Sequence, residues 1–335
     1  MRIEANLKEW KELYDIAIKL KELKPWEKLY DMDLITIMDK ETNEPCICSM
    51  LGKQGDMYGI AAYDGKKQME DFFELLENVE VSEHQLIRYQ NCLMCNLGDK
   101  EDLTEQELKI IKDLGFNFKG ENNYIYFRSY EKNFVDYMLT SKEVIRFTKI
   151  LTNLYNALIE YNKGLDIDFE KGKTLMYAYN MKNKVWEASQ GNLIVSKKEH
   201  IFITLDDKVL IHKLKKIEQS EDVLELDIAY LGAGVIDAKY RKPIIPKRFL
   251  LASNTQEVLC AQELVQISDS ESDIIFDGIV NYIFASGRPK TIIVRDDYIA
   301  SIIVDLCTRI GVEVAKSPEL PVIDSIVERY LSMNS

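Results

Sequence analysis

Apolar residues recur at helical spacing from the start of the chain. Leu7, Trp10, Leu13, Tyr14, Ala17 and Leu20 form one stripe on an otherwise charged segment that Lys24-Pro25 closes, which predicts an amphipathic helix over 5–23. Between Asp33 and Tyr63 the period shortens. LITIMD, PCICSML and MYGIAAY are strand-like runs separated by KETNE and GKQGD, where Asn43, Gly52 and Gly55 supply permissive turn positions, so a β-meander is expected. A short helix over 68–76, a strand-like stretch over 84–97 and a helix opened by Thr104, with Glu107 three residues on, follow. YIYFRSY reads as a further strand. The long helix from Ser141 to Tyr161 carries Phe147, Ile150, Leu151, Leu154 and Leu158 on its core face.

Residues 174–247 look strand-rich, with TLMYAYN, KVWEAS, HIFITLD, VLIHKL and LELDIAYLGAGV. A hairpin is predicted over 248–265 and a helix over 269–285. The last stretch alternates strand and helix. Thr291–Val294 is β-branched, Ile299, Ile302, Ile303, Leu306 and Ile310 mark a helix that Gly311 stops, residues 312–315 form a second strand, and Pro318 and Pro321 open a final helix. Helices of this kind bury their stripes against a sheet. The fold class expected is therefore an N-terminal α+β domain with a β-meander, residues 1–175, and a C-terminal α/β domain with a mixed sheet, residues 176–335.

Composition narrows the classes of function. The 335 residues carry a formal charge of −13, so the field of the whole molecule disfavours nucleic acid and anionic membrane, and any such contact must be local. Six scattered cysteines fit free thiols in a reducing cytosol better than a disulfide framework. The N-terminal segment reads as a helix of the mature protein rather than a signal peptide, and no run is long and apolar enough for a membrane span. A cytoplasmic, membrane-free protein is expected.

Candidate chemistry is sparse. Cys46-x-Cys48 and Cys92-x-x-Cys95 supply four thiols, but neither pair sits on a zinc-knuckle turn, and small buried cysteines explain both; no metal is assigned. His84, His200 and His212 lack partner ligands at useful spacing. Gly232-Ala233-Gly234 follows a strand, yet Asp237 replaces the third glycine of a dinucleotide fingerprint and Pro243 forbids the helix that should follow, so a hairpin or bulge is favoured. Phosphate-loop, nucleophile-elbow and H-E-x-x-H signatures are missing, and no cofactor is predicted. Lys239, Arg241, Lys242, Lys247 and Arg248, with Tyr240 among them, form the densest basic cluster and a candidate nucleic-acid or anion-binding patch; a solvated, acid-balanced loop is the simpler account. Gly52, Gly55 and Gly59 are candidates for a ligand loop.

The succession of hairpin, helix, strand, helix, strand and helix over 248–331 resembles, in topology, the ribonuclease-H-like core, where strand-end carboxylates hold two divalent metals. That resemblance implies Mg or Mn held by Asp296, Asp297, Asp324 and Glu328. The first strand of that core should carry an aspartate, but here that region reads LLASNTQ, with Ser253 and Asn254; the acid is missing, and a degenerate domain is favoured over a nuclease.

Short pieces in order along the chain resemble an uncharacterised bacterial two-domain family of unknown function. They are Trp26 with Leu29, Asp31-Met32-Asp33-Leu34-Ile35, Ser49-Met50-Leu51-Gly52 with Gly55-Asp56, Tyr63-Asp64-Gly65, Leu114-Gly115 with Phe118-Lys119-Gly120, Phe127-Arg128-Ser129-Tyr130, and Lys242-Pro243 through Pro246. The family's Pro-x-Thr-Gly-Glu turn is replaced by Glu41-Thr42-Asn43-Glu44, and its proline after the Arg-Ser-Tyr piece is missing. The resemblance implies domain order and no activity. The function expected is that of a cytosolic binding or interaction protein without recognisable catalytic machinery, its partner unknown and a protein partner allowed. The alternatives are a nucleic-acid-binding or metal-dependent nuclease-like protein and a small-ligand sensor.

Overall fold

The computed structural model describes residues 2–55, 57–77, 86–200, 202–232, 234–237 and 239–333. The chain divides into two compact units. The first comprises Met1–Leu76, Gln90–Lys132 and Asp136–Lys197; the second comprises Glu77–Tyr89, Asn133–Val135 and Lys198–Ser335.

The first unit is a seven-stranded mixed sheet. Helix α1 (Leu7–Leu23) is opened by Asn6, whose side chain accepts from the Lys8 and Glu9 N–H groups. The meander follows as β1 (Ile35–Met38), β2 (Pro45–Leu51) and β3 (Tyr58–Asp64), all antiparallel neighbours, and α2 (Lys66–Glu77) comes next. Then come β4 (Cys92–Gly98), α3 (Glu105–Asp113), β5 (Tyr124–Tyr130), α4 (Ser141–Tyr161), β6 (Lys173–Asn180) and β7 (Val185–Asn192). The order is β5-β4-β3-β2-β1-β6-β7, with β6 parallel to β1. Trp10, Leu13, Phe147, Leu151 and Leu154 from α1 and α4 cover one sheet face, packing in one cluster with Cys46 and Cys48 of β2 and Cys95 of β4. Cys92 belongs to a separate small cluster with Ala61 and Met94, because residues an odd step apart on a strand face opposite ways. Burial pushes the Cys92 and Cys95 thiols up to about 12, and all six cysteines are free.

Within Lys198–Ser335 the first helix among the described residues is α5 (Lys208–Lys216). VLIHKL was expected as a strand and is helical: Asp207 caps it by accepting from the Leu210 N–H, and Ile211 and Leu214 bury at helical spacing. HIFITLD forms no strand among its described residues. The sheet follows as β8 (Val223–Tyr230), the small hairpin β9 (Val235–Asp237) and β10 (Lys242–Ile244), then β11 (Lys247–Ser253) and β12 (Val258–Val265). Gly232 is left-handed, with φ 67°, and leads into that small hairpin rather than into a helix. Next are α6 (Glu271–Ser286), β13 (Thr291–Val294), α7 (Asp297–Ile310), β14 (Glu313–Lys316) and α8 (Pro321–Met333).

The five-stranded order is β12-β11-β8-β13-β14; β11 is antiparallel to β8 and β12, while β13 is parallel to β8 and β14. This strand order matches that of a ribonuclease-H-like topology, with one correction to the sequence reading. The first strand is β8, not the LLASNTQ region, which is the second. Helices α5, α6 and α7 pack on one face through Leu224, Leu226, Ile228, Ile279 and Ile303, whereas α8 covers the other through Leu320, Ile323 and Val327. Gly278 lets α6 approach closely, since a Cβ there would meet the Phe249 ring at 2.3 Å. No helix among the described residues is long and apolar enough to cross a membrane.

Candidate functional site

The sheet of the second unit sorts its side chains by period two. Leu224, Leu226 and Ile228 enter the core under α6 and α7, so Glu225 and Asp227 point to the α8 face. On the neighbouring strand Ile292 and Val294 enter the same core, leaving Arg295 on the α8 side. Both polar sets are buried there.

Glu225, fully buried, accepts from the Val322 and Ile323 N–H groups at 3.0 Å and from Asn254 Nδ2 at 2.6 Å. It therefore caps the first turn of α8, satisfying donors that a helix leaves unpaired.

Beside it, three carboxylates and two guanidinium groups form one cluster. Arg88 Nη2 pairs with Asp227 Oδ1 at 2.7 Å while Nη1 pairs with Asp296, and Arg88 also donates to the Ile228 carbonyl. Arg295 Nε pairs with Asp227 Oδ2 at 3.2 Å, its Nη2 with Asp324 Oδ1 at 2.6 Å, and its Nη1 donates to the Pro318 carbonyl. Backbone donors take what remains. The Ile228 N–H reaches Asp227 Oδ1 at 2.8 Å, the Ile299 N–H reaches Asp296 Oδ1 at 2.9 Å, and the Leu320 N–H reaches Asp324 Oδ2 at 2.9 Å. Asp296 thereby serves as the N-cap of α7.

Arg88, Asp227, Asp296 and Arg295 are buried, and Asp324 is 29% exposed at its side chain. Burial opposes ionisation of Asp227, but Arg88 and Arg295 outweigh it and hold its carboxyl below the usual carboxylate range. Burial likewise opposes the Arg88 cation, and Asp227 and Asp296 overcome it. Buried Lys247 pairs with the half-buried Glu271.

A ribonuclease-H-like fold implies a pair of divalent cations, which would need strand-end carboxylate oxygens as ligands. Each oxygen of Asp227, Asp296 and Asp324 already accepts from a guanidinium or an N–H group, so these residues do not fit that pair. Among the described residues no three Cys, His, Asp or Glu side chains form a ligand set.

Of the carboxylates singled out in the sequence, Asp296 and Asp324 join the cluster. Asp297 is exposed and pairs with Lys316 at 2.8 Å, and Glu328 is exposed on α8. The first-strand acid is present after all, as Asp227. Sequence reasoning missed Arg88 and Arg295. An isolated arginine in the apolar stretch LIRYQNCLMC was the signal available for Arg88.

The basic cluster is divided. Lys242 lies over the Phe134 ring at 3.6 Å and Lys239 over Tyr240 at 5.0 Å, with Arg241 exposed on the turn between β9 and β10. Lys247 is committed to Glu271, and Arg248 sits over Tyr330 at 5.2 Å and donates to Gln262 Oε1 at 2.9 Å. Gly52 and Gly55 border a cavity in the first unit, while Gly59 is a packing residue whose Cβ would fall 2.9 Å from the Cys95 carbonyl oxygen. His212 is exposed on α5, the His200 ring stands 6.3 Å from that of Tyr298, and His84 lies outside the described residues.

A family model described as Domain of unknown function (DUF7309) matches residues 10–178, half of the chain. The chain belongs to the DUF7309 family. A second model, Domain of unknown function (DUF6930), matches residues 210–331 of this DUF7309 chain. No curated protein matches it. Solved structures similar to it include the catalytic core domain of BIV integrase, at 11% identity over 33% of this chain and 64% of that one, with a TM-score of 0.24. Two others are the simian T-cell lymphotropic virus intasome with PP2A regulatory subunit B56 gamma (15%, 33% and 37%, 0.24) and the HTLV-2 integrase catalytic core domain with magnesium (12%, 34% and 84%, 0.21). The DUF7309 chain spans less than two thirds of the first two. Overlaps this loose carry no functional weight.

Proposed function

We propose that the protein works as a non-catalytic binding or interaction protein, its second unit a ribonuclease-H-like scaffold whose carboxylate site is closed by Arg88 and Arg295. The observation that carries this is the engagement of every oxygen of Asp227, Asp296 and Asp324. A hydrolytic metal site needs open coordination positions for substrate and attacking water. Here the positive charge that would neutralise the acids is supplied by the chain itself, and it cannot exchange ligands as a metal does.

The test is incubation of the full chain with labelled single-stranded and duplex DNA, RNA and their hybrid, in Mg²⁺ or Mn²⁺. No cleavage above that of an Asp296→Asn variant is expected. Metal-dependent cutting that Asp296→Asn abolishes would overturn the proposal. The nucleic-acid reading gains no support from the basic cluster, because Lys247 is spent on its pair with Glu271 and Arg248 is held by Tyr330 and Gln262.

A further inference from the structure

A cavity of about 490 Å³ opens in the first unit between the end of α1, the turn linking β2 to β3, and Asn122-Asn123. Its volume lies within the range of small-ligand sites, ~300–1,000 Å³. Among the described residues Lys21, Lys24 and Lys53 contribute to its lining against one acid, Glu27, in a chain of net charge −13. Glu27 is paired with Lys24 at 3.1 Å. The other two lysines have no carboxylate partner among the described residues: Lys21 Nζ donates to the Asn123 carbonyl at 2.8 Å, and Lys53 Nζ to the Glu27 carbonyl. Lys21 also lies over the Phe118 ring at 5.7 Å and Lys53 over the Tyr30 ring at 5.3 Å, but each ammonium carries three donors, so both retain unspent donors and a charge that no carboxylate among the described residues balances.

Aromatic surface adjoins them. Trp26 and Tyr58 line the cavity with ring centroids 5.6 Å apart, and Leu97 adds apolar surface. The turn is fixed by Gly52, whose φ of 128° excludes other residues without strain and whose Cβ would meet the Tyr58 ring at 2.5 Å. Gly52 therefore keeps Tyr58 against the cavity wall. Partial burial also lowers the pKa of Lys21, a penalty that a bound anion would relieve.

We infer that this cavity binds a small phosphomonoester carrying a flat ring, of nucleoside monophosphate size, with the phosphate between the Lys21 and Lys53 ammonium groups and the ring against Tyr58. Lysine suits the first role as a point charge for phosphate, and the aromatic wall suits the second. The inference is independent of the closed carboxylate cluster.

Calorimetric titration of the full chain with adenosine monophosphate, adenosine and inorganic phosphate at low salt tests it. Saturable binding of one adenosine monophosphate per chain is expected, with adenosine and phosphate each weaker. Lys21→Met and Lys53→Met should each weaken it by about tenfold, the effect of one lost charge-assisted bond. Absence of saturable binding, or binding that both variants leave unchanged while their circular dichroism and melting match the parent, would overturn the inference. Adenosine binding as tight as the monophosphate would remove the role of the lysines, and phosphate binding as tight would remove that of the ring.

Discussion

Two sites, one in each unit, hold their cations in opposite ways, although the first unit also has committed guanidinium groups in Arg128, paired with Glu107 and Asp136, and Arg146, paired with Asp39 and Asp64. In the second, Arg88 and Arg295 are buried and spend their donors on three aspartates and two carbonyl groups. In the first, Lys21 and Lys53 line an open cavity, each giving one bond to a backbone carbonyl and lying over one aromatic ring, Phe118 and Tyr30, without a carboxylate partner among the described residues. A charge becomes available to a ligand according to how many partners the fold has already given it, and a count of basic residues along the chain is blind to that. The densest basic run, 239–248, includes one of the most committed lysines of the molecule, Lys247, while Lys21 and Lys53 stand among evenly mixed charges.

The comparison breaks most readily at Arg295. Replacing it by Met removes one partner of a buried network and leaves Asp227 and Asp324 short of compensation, a loss of roughly 3–5 kcal/mol. Urea unfolding followed by hydrogen exchange over 223–230 would read this directly, and an unchanged transition would mean that the cluster is not a unit. An intermediate effect is expected from pH. The folded pKa of Asp227 is depressed, so its contribution is complete above the unfolded carboxylate value of about 4 and drains away as pH falls below it. The second unit should keep its protection from neutral pH down to about pH 5 and lose it as pH falls through about 4 toward about 3, and an Asp227→Asn variant, already weakened, should lose less over the same interval. The smallest effect belongs to Lys53→Met. It deletes the same charge as Arg295→Met from an exposed position, and the folding free energy should stay within about 0.5 kcal/mol. A larger loss would make Lys53 a structural residue and weaken the case for its cavity.

Much of the fold was legible because it was local. The meander follows from alternating runs and turn residues, and α4 from a long stripe with Thr140 and Glu143 forming a capping box at its start. VLIHKL failed for a local reason as well: four apolar residues in a six-residue stretch satisfy both periods, and the capping Asp207 favoured helix. The candidate site was far less legible. Asp296 and Asp324 stood out at element boundaries, but Asp227 lay inside LELDIAY, where its meaning depends on pairing β8 beside β13. Arg88 reaches Asp227 across 139 positions of sequence, and no periodic pattern carries information over that distance.

Arg88 also bears on how the chain can be divided. It lies within the span matched by the first family model, 10–178, although its partners Asp227 and Asp296 lie within 210–331. A fragment cut at Lys198 would retain all three aspartates and only one of their arginines. The family-model boundary and the physical one are different places, and a C-terminal region moved into another chain would leave behind an arginine encoded more than a hundred codons upstream.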